Sequence, residues 1–345
     1  MALVVTALLT VLAGVARYAS GFSDVLAFVL ATLALAGLAW IVSFATEQAS
    51  YRFGSSVTGV LHSTLGNLPE FFVVIFALGA GEAVVAETAI LGSILVNALL
   101  VLGLVIIAGA RRSNDGLMRF NPRLPNDTAT LLLTATFIIV LAGIASSSHD
   151  AASRHLRTIS VIGAIAVLAV YGTWLYQYLR TPAAGAEDSD PPRIPPGPSV
   201  VLLAVAATAS AFVSDWFVHA LQPTITTLNI SKAFAGLVIV AIAGNAVENI
   251  AGVVLAIKGH ADLAISVVKN SVAQIAAFVY PALVLVSLLT PTTLTFAIAP
   301  IYIGALFGTA IIVWQITGDG EATVFEGTAL VAAFVILATV AWFEP

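Results

Sequence analysis

The sequence predicts an all-α integral membrane protein of about eleven transmembrane helices, with two halves that repeat each other. Hydrophobic residues make up 60% of the 345 residues and charged residues only 9%, which a water-soluble domain could not sustain without exposing large apolar patches. Apolar runs of about 20 residues recur along the chain, and each can cross a bilayer as a helix. A polar motif also occurs twice, as GNLPE at 66–70 and as GNAVE at 244–248.

The predicted spans follow the apolar runs in chain order. The first six lie at about 2–17, 25–46, 55–78, 84–109, 128–147 and 157–179, and the last five at about 199–219, 231–257, 262–288, 293–315 and 322–343. The N-terminal run lacks the basic region of a signal peptide, so it is interpreted as a short first span. The stretch 181–198 is rich in proline and acidic residues, which indicates a solvated linker between the halves.

Loop charges predict how the chain is oriented. Lysine and arginine residues in alternate loops number eight on the side of the N-terminus and four on the opposite side. The positive-inside rule therefore predicts a cytoplasmic N-terminus and an external C-terminus. The short linker favours a prokaryotic cell membrane. Because the chain has no cysteine, neither disulfides nor thiolate metal sites are available.

The two polar motifs belong to a longer internal repeat. A shift of 178 positions aligns 66–103 with 244–281 without a gap, and nine of the 38 positions are identical. The shift corresponds to five predicted spans, an odd number, so the two copies would enter the membrane from opposite sides. Inverted repeats of this kind form substrate sites near the middle of the bilayer.

Each motif places an amide and a carboxylate on one helix face, because Asn and Glu are three residues apart. The preceding glycine weakens the helix and so frees carbonyl oxygens. Small polar residues can also serve helix packing alone, but these recur after both motifs. The predicted cation- and proton-binding residues are Gly66, Asn67, Glu70, Ser93 and Asn97 in the first half and Gly244, Asn245, Glu248, Ser271 and Gln274 in the second.

Two carboxylates with amide and carbonyl oxygens form a hard oxygen cage that suits a divalent cation. Ca²⁺ accepts about 6 to 8 such ligands in loose geometry, whereas Mg²⁺ demands a tight octahedron. Glu70 and Glu248 are therefore the predicted metal ligands. Without a cation, these carboxylates would take up protons, since burial and mutual repulsion disfavour their charged forms. Exclusive occupation by metal or protons is the basis of an antiporter.

The motifs and their surroundings resemble a known family, the calcium/proton antiporters of the cation/H⁺ exchangers. The sequences GNLPEFFVVIFAL and LGSILVNALLVLG resemble its first signature, SDWFVHAL, GNAVEN and SVAQIAAFVYP its second, and DGEATVFEGTALVAAF its last span. The resemblance implies a first helix at 1–20, a five-helix repeat at 21–180, a cytoplasmic linker at 181–198 and an inverted five-helix repeat at 199–345. It also implies that Ca²⁺ binds between Glu70 and Glu248.

Several further polar residues are secondary candidates. Glu47 and Asp215 resemble acidic positions that the family places before each signature, although both are equally interpretable as interfacial acids. His62 is a candidate for assisting proton movement or a packed polar residue. Asn249 stands where the family often has histidine, and an amide cannot carry a proton.

The sequence also departs from the family at Lys269 and Asn270, where Leu-Gly is common. A cation inside a span is costly. Lys269 is predicted to snorkel, to pair with an acid such as Asp215 or Glu326, or to replace a transported cation or proton with its ammonium group. Glu87 and Glu326 lie near the starts of their spans and are interpreted as interfacial acids.

These features predict a secondary active transporter that exchanges Ca²⁺ for H⁺ by alternating access. The alternatives are the same fold exchanging Na⁺ or another cation, and a transport-inactive membrane sensor. A membrane metalloenzyme is disfavoured, because the five histidines are scattered and form no paired motif. The expected partners are the two ions and the lipid bilayer, with no nucleic acid and no cofactor, and the oligomeric state stays open.

Overall fold

The computed structural model describes residues 2–50, 64–180 and 193–344, without the side chains of Ser50, Val247 and Glu248. The first helices are α1 (Ala2–Tyr18), α2 (Asp24–Ser50), α3 (Leu68–Gly79), α4 (Ala83–Arg112), α5 (Arg123–Ser147) and α6 (Ala151–Arg180). The later helices are α7 (Pro196–Leu228), α8 (Lys232–Gly244), α9 (Ala246–Lys258), α10 (Ala261–Leu289), α11 (Pro300–Thr317) and α12 (Val324–Phe343). Two short strands complete the fold, β1 (Leu117–Arg119) and β2 (Glu321–Thr323).

The helices confirm the predicted all-α membrane fold. In the described ranges, eight helices are long and apolar enough to cross a bilayer, or nine if α8 and α9, which meet at an angle of 55°, are counted as one broken span. The helices α1 and α3 are apolar but shorter. The number of eleven spans and the inverted arrangement of the halves stay predictions. The spans α4 and α10 have the largest buried shares, 83% and 67%, so they form the centre of the bundle.

The largest errors in the predicted span boundaries lie at the end of the seventh span and at the start of the tenth. The seventh span was predicted to end near 219, but α7 continues to Leu228 despite Pro223 and ends at Asn229, whose φ of 51° is left-handed. The tenth span was predicted to begin near 293, but α11 begins at Pro300. The chain before it is extended, and proline favours the first turn of a helix because the missing N–H has no intrahelical partner there.

The paired strands were not predicted. They run antiparallel, with Met118 opposite Ala322, and connect the loop after α4 to the start of α12. Arg119 binds Asp115 at 2.6 Å and Glu321 at 3.2 Å. These ion pairs lie outside the spans, and the pair with Glu321 supports the strand pairing that holds this basic loop at the start of α12.

The local structure of the two repeated segments breaks at equivalent positions. α3 begins after Asn67 and α9 after Asn245, and both asparagines leave the helical conformation, with φ and ψ of −82° and 4° and of −94° and 14°. The turns that follow use Gly81 and Gly259, with φ of 80° and 92°, a region that favours glycine. Both following helices contain a π-helical segment, Val96–Val101 in α4 and Ile275–Val279 in α10.

Candidate functional site

The predicted site residues meet where the broken helices face the central spans. Glu70 lies in the first turn of α3, Asn245 at the break between α8 and α9, and Ser93 and Asn97 one turn apart on α4. All four are buried, with Glu70 8% exposed and Asn97 fully enclosed. The structure therefore brings polar residues from both halves together inside the transmembrane bundle.

One oxygen of Glu70 is the centre of this cluster. Glu70 Oε1 accepts hydrogen bonds from Ser93 Oγ at 2.9 Å and from the side-chain amide of Asn245. The same Asn245 amide is 3.0 Å from Ser93 Oγ and donates to the carbonyl of Ala241 at 2.9 Å. The first motif's carboxylate is thus held directly by the second motif's amide, and hydrogen bonds to a buried charged group are stronger than neutral ones.

Asn97 continues the network towards α10. Its Nδ2 donates to Asn245 Oδ1 at 2.6 Å, to Ser271 Oγ at 3.3 Å and to the backbone carbonyl of Ser93 at 3.0 Å. Its Oδ1 is buried and accepts no hydrogen bond from the described residues. A buried oxygen without a hydrogen-bond partner costs free energy unless a ligand, ion or water satisfies it. Asn97 lies at the start of the π-helical segment of α4, and such segments occur frequently at functional sites.

Gly244 allows the carboxylate to reach this position. A Cβ atom at residue 244 would lie 2.7 Å from Glu70 Cγ and 2.8 Å from Glu70 Oε1, closer than side-chain atoms pack. Gly66, the equivalent glycine of the first motif, is buried at the end of the turn before Asn67, which is also buried. The second motif's glycine therefore serves close packing against Glu70 as well as helix weakening.

A small cavity lies beside the Glu70 carboxylate. Its polar walls are Glu70 and Ser93, and the remaining walls are the apolar side chains of Val74, Ala89, Ile90, Val240, Ile275, Val279 and Leu283. Its free volume is about 10 Å³, near the smallest space that holds one water molecule. A space of this size accepts a dehydrated ion or a single water but no larger solute.

Gln274 forms no hydrogen bond with the Glu70 network among the described residues. It is buried, and the hydroxyl of Tyr171 on α6 faces it together with Thr64. The sequence reasoning did not select Tyr171 or Thr64. The available signal was weak, since a tyrosine in an apolar span usually packs without a specific role.

Two site predictions cannot be located. His62 and the side chain of Glu248 lie outside the described residues. Asn249 and Asn270 are half-buried, and the Oδ1 atom of each is buried without a hydrogen-bond partner among the described residues. Both amides stand next to site residues of the second half.

Glu47 and Asp215 are exposed side chains on α2 and α7. The neighbouring Ser214 is buried and donates a hydrogen bond to the carbonyl of Pro69 at 3.4 Å. α7 therefore contacts the chain directly before Glu70, while Asp215 itself points away from the buried network.

Snorkelling and an acidic partner, two of the three predictions for Lys269, are wrong, and its replacement of a transported ion stays a prediction. Lys269 is 2% exposed, so it does not snorkel, and its Nζ donates to the hydroxyl of Thr317 on α11 at 3.3 Å. It forms no ion pair within the described part of the chain. Glu326 is engaged elsewhere, because its carboxylate caps α12 by accepting from the backbone N–H and hydroxyl of Thr323.

The helical membrane fold and its buried network of carboxylate, amide and hydroxyl groups define a membrane ion-transport protein. The charged centre is enclosed in a span, where an ionisable group typically serves an ion or substrate path. Comparison with known proteins then gives the family. The chain belongs to the sodium/calcium exchanger protein family, which it matches over residues 23–179 and 198–343.

Individual relatives agree with this assignment. The chain is 32% identical over 334 residues to the vacuolar calcium ion transporter of Schizosaccharomyces pombe, covering 92% of this chain and 79% of that protein. It is 27% identical to the Ca²⁺/H⁺ antiporter of Aphanothece halophytica, covering 94% and 92% of the two chains. The solved structure of native YfkE superposes with a TM-score of 0.81 at 26% identity over 100% of both chains. The predicted resemblance to the calcium/proton antiporters is confirmed.

Proposed function

We propose that this protein exchanges Ca²⁺ for H⁺ across a membrane by alternating access, with Glu70 and Glu248 as the carboxylates of a midplane site. The observation that carries the proposal is the hydrogen-bonded network from Glu70 through Asn245 to Asn97 and Ser271, which joins both copies of the repeat. The antiporter and calcium-transporter names of the relatives support the choice of ions.

The donor set suits a hard cation. Glu70 supplies carboxylate oxygen, Asn97 and Asn245 supply amide oxygens, and the serines supply hydroxyl oxygens, all of which Ca²⁺ accepts. In the structure, the Asn245 NH₂ group faces Glu70, the side from which a cation would bind. Cation binding then requires the amide to turn its oxygen inward. The amide hydrogen bond and the metal are alternatives at the same carboxylate.

Protons occupy the same position in the other half of the cycle. A buried carboxylate without a metal is stabilised by protonation, because desolvation opposes its charge. Metal entry then displaces the proton, and metal release restores it. Each ion is thus carried only when the other is absent, which couples their movements.

The experiment measures Ca²⁺ uptake into proteoliposomes that are acidic inside, so that protons flow outward. Wild-type protein should accumulate Ca²⁺, and both Glu70→Gln and Glu248→Gln should abolish uptake. Glu321→Gln removes an exposed carboxylate outside the spans and serves as the matched control.

Two results would contradict the proposal. Wild-type vesicles in which a proton gradient drives Na⁺ movement but no Ca²⁺ movement would reject the calcium assignment. Full uptake by either site variant would reject the two-carboxylate site. A Na⁺ requirement for Ca²⁺ movement would instead favour sodium/calcium exchange, the second candidate, which the family name supports.

A further inference from the structure

A further carboxylate lies within the transmembrane part of α4, at Glu87. It is the fifth residue of this span and lies six residues before Ser93, about 9 Å along the helix axis. Its side chain is half-buried, and in the described part of the chain it accepts no hydrogen bond and forms no ion pair. Glu87 lies near the start of the span, as predicted, and an acid within a span usually lines an ion path.

Tyr280 of α10 is engaged away from this carboxylate. The tyrosine is fully buried, and its hydroxyl donates a hydrogen bond to the carbonyl of Thr295 at 2.9 Å. The hydroxyl hydrogen is therefore not available to Glu87.

Glu87 lies next to the cavity of the central site. Ile90, three residues after Glu87 on the same helix face, lines the cavity. Val279 and Leu283, which flank Tyr280, line it as well. The cavity that begins at the Glu70 carboxylate thus ends one helical turn short of Glu87, and an apolar layer of these three side chains separates the two levels.

The next acid towards the membrane surface is already neutralised. Glu82, at the start of α4, forms an ion pair of 2.7 Å with Lys232 at the start of α8. Five residues, or about 7.5 Å of helix, separate Glu82 from Glu87. Between this ion pair and the apolar layer, Glu87 is the carboxylate that has no basic partner in the described ranges.

The repeat has no second copy of this residue. The position 178 residues after Glu87 is Ile265, a buried apolar residue on α10. A carboxylate at this position of the repeat therefore occurs only at the end of the bundle where α3 turns into α4. This asymmetry separates its role from that of the duplicated central site.

We propose that Glu87 is a second and weaker binding station for the transported divalent cation. It lies outside the apolar layer, on the route between the Glu70 site and the α3–α4 turn. The proposal rests on the proposed exchange function. Glu87 captures the partly hydrated ion before it passes the apolar layer, and it holds the ion again after release from the centre.

The test compares the Ca²⁺ concentration for half-maximal transport when Ca²⁺ is supplied from each face of the membrane. The chain contains no cysteine, so Ala80→Cys at the exposed α3–α4 turn, labelled with a membrane-impermeant maleimide, reports which face of each vesicle carries that turn. Glu87→Gln removes the charge, and Glu87→Asp keeps it. The matched control is Glu321→Gln on β2, which lies beyond the opposite end of α4.

Glu87→Gln should raise the half-maximal Ca²⁺ concentration from the Ala80 face by about fivefold or more, because a partly buried carboxylate attracts a divalent ion strongly. From the opposite face the value should stay within about twofold, and Glu87→Asp should restore most of the loss. Equal values for Glu87→Gln and wild type at both faces would overturn the inference. So would an equal rise at both faces, or an Asp variant as impaired as the Gln variant, since both outcomes indicate a structural role. Wild-type vesicles without Ca²⁺ transport would overturn the proposed function itself.

Discussion

Replacing Gly244 by alanine tests whether close packing against Glu70 controls the site. The new Cβ would lie 2.7 Å from Glu70 Cγ and 2.8 Å from its Oε1. Ordinary contact begins at about 3.4 Å, so the carboxylate must retreat by about 0.7 Å. The hydrogen bond from Ser93 Oγ, now 2.9 Å, would then lengthen to about 3.6 Å, beyond the range of a real bond.

The expected result for Gly244→Ala follows from this displacement. Overpacking of a dense interior costs about 1 to 3 kcal/mol, and the loss of alignment acts directly on the ligand set. We expect the half-maximal Ca²⁺ concentration to rise about tenfold or more, since about 1.4 kcal/mol corresponds to a factor of ten. The assay is Ca²⁺ uptake in proteoliposomes, with thermal unfolding in detergent measured in parallel.

Gly304→Ala is the matched control. Gly304 lies within α11, and a Cβ there meets no atom of the described residues within 4 Å. Alanine should leave transport unchanged and stabilise the helix by up to about 1 kcal/mol, because glycine is the poorer helix former. Wild-type affinity in Gly244→Ala would refute the reasoning, since it would show that Glu70 does not need its present position to bind Ca²⁺.

Two further predictions concern charges outside the Glu70 network. Lys269→Leu should leave the thermal stability unchanged or raise it by about 1 kcal/mol or more, because one hydrogen bond to a hydroxyl does not offset the burial of an ammonium group. The same change at the exposed Lys258 should have little effect. A clear destabilisation by Lys269→Leu would show that the Thr317 contact is essential. The Arg119 guanidinium holds the pKa of Asp115 well below its ordinary value, so this acid stays charged above about pH 4 and the ion pair is lost only as pH falls further. Asp115→Asn should therefore leave the pH profile of Ca²⁺ uptake between about pH 5 and 9 unchanged, and a shifted profile would contradict this.

The sequence predicted the meeting of the two motifs but not the details of their contact. Glycine, amide and carboxylate at equal spacing in both copies indicated one shared site, and the structure brings Asn245 against Glu70. The steric dependence of Glu70 on Gly244 was not predictable, because it depends on how closely α3 and α8 approach. Sequence periodicity gives the face of a helix but not its distance from a neighbour.

The partner of Lys269 shows the same limit. A buried cation suggests an acid, and two acids were available in the second half. The end of α11 instead places Thr317 against the ammonium group, while Glu326 is used by the helix start that it caps. A capping box has a sequence signature, Thr323 followed three residues later by Glu326, and this signature could have excluded Glu326 as a partner.

The contacts between α4 and α12 restrict how the protein can move. At one level, Gly103 and Gly327 let the two backbones touch, since a Cβ on either would lie 2.7 Å from the other's carbonyl oxygen. At the next level, β1 and β2 join the loop after α4 to the start of α12. The glycine contact and the strand pairing thus hold α4 and α12 together at two levels, which leaves no hinge between these helices. We therefore expect α4 and α12 to move together in any conformational change, with the displacement at their borders with the remaining helices.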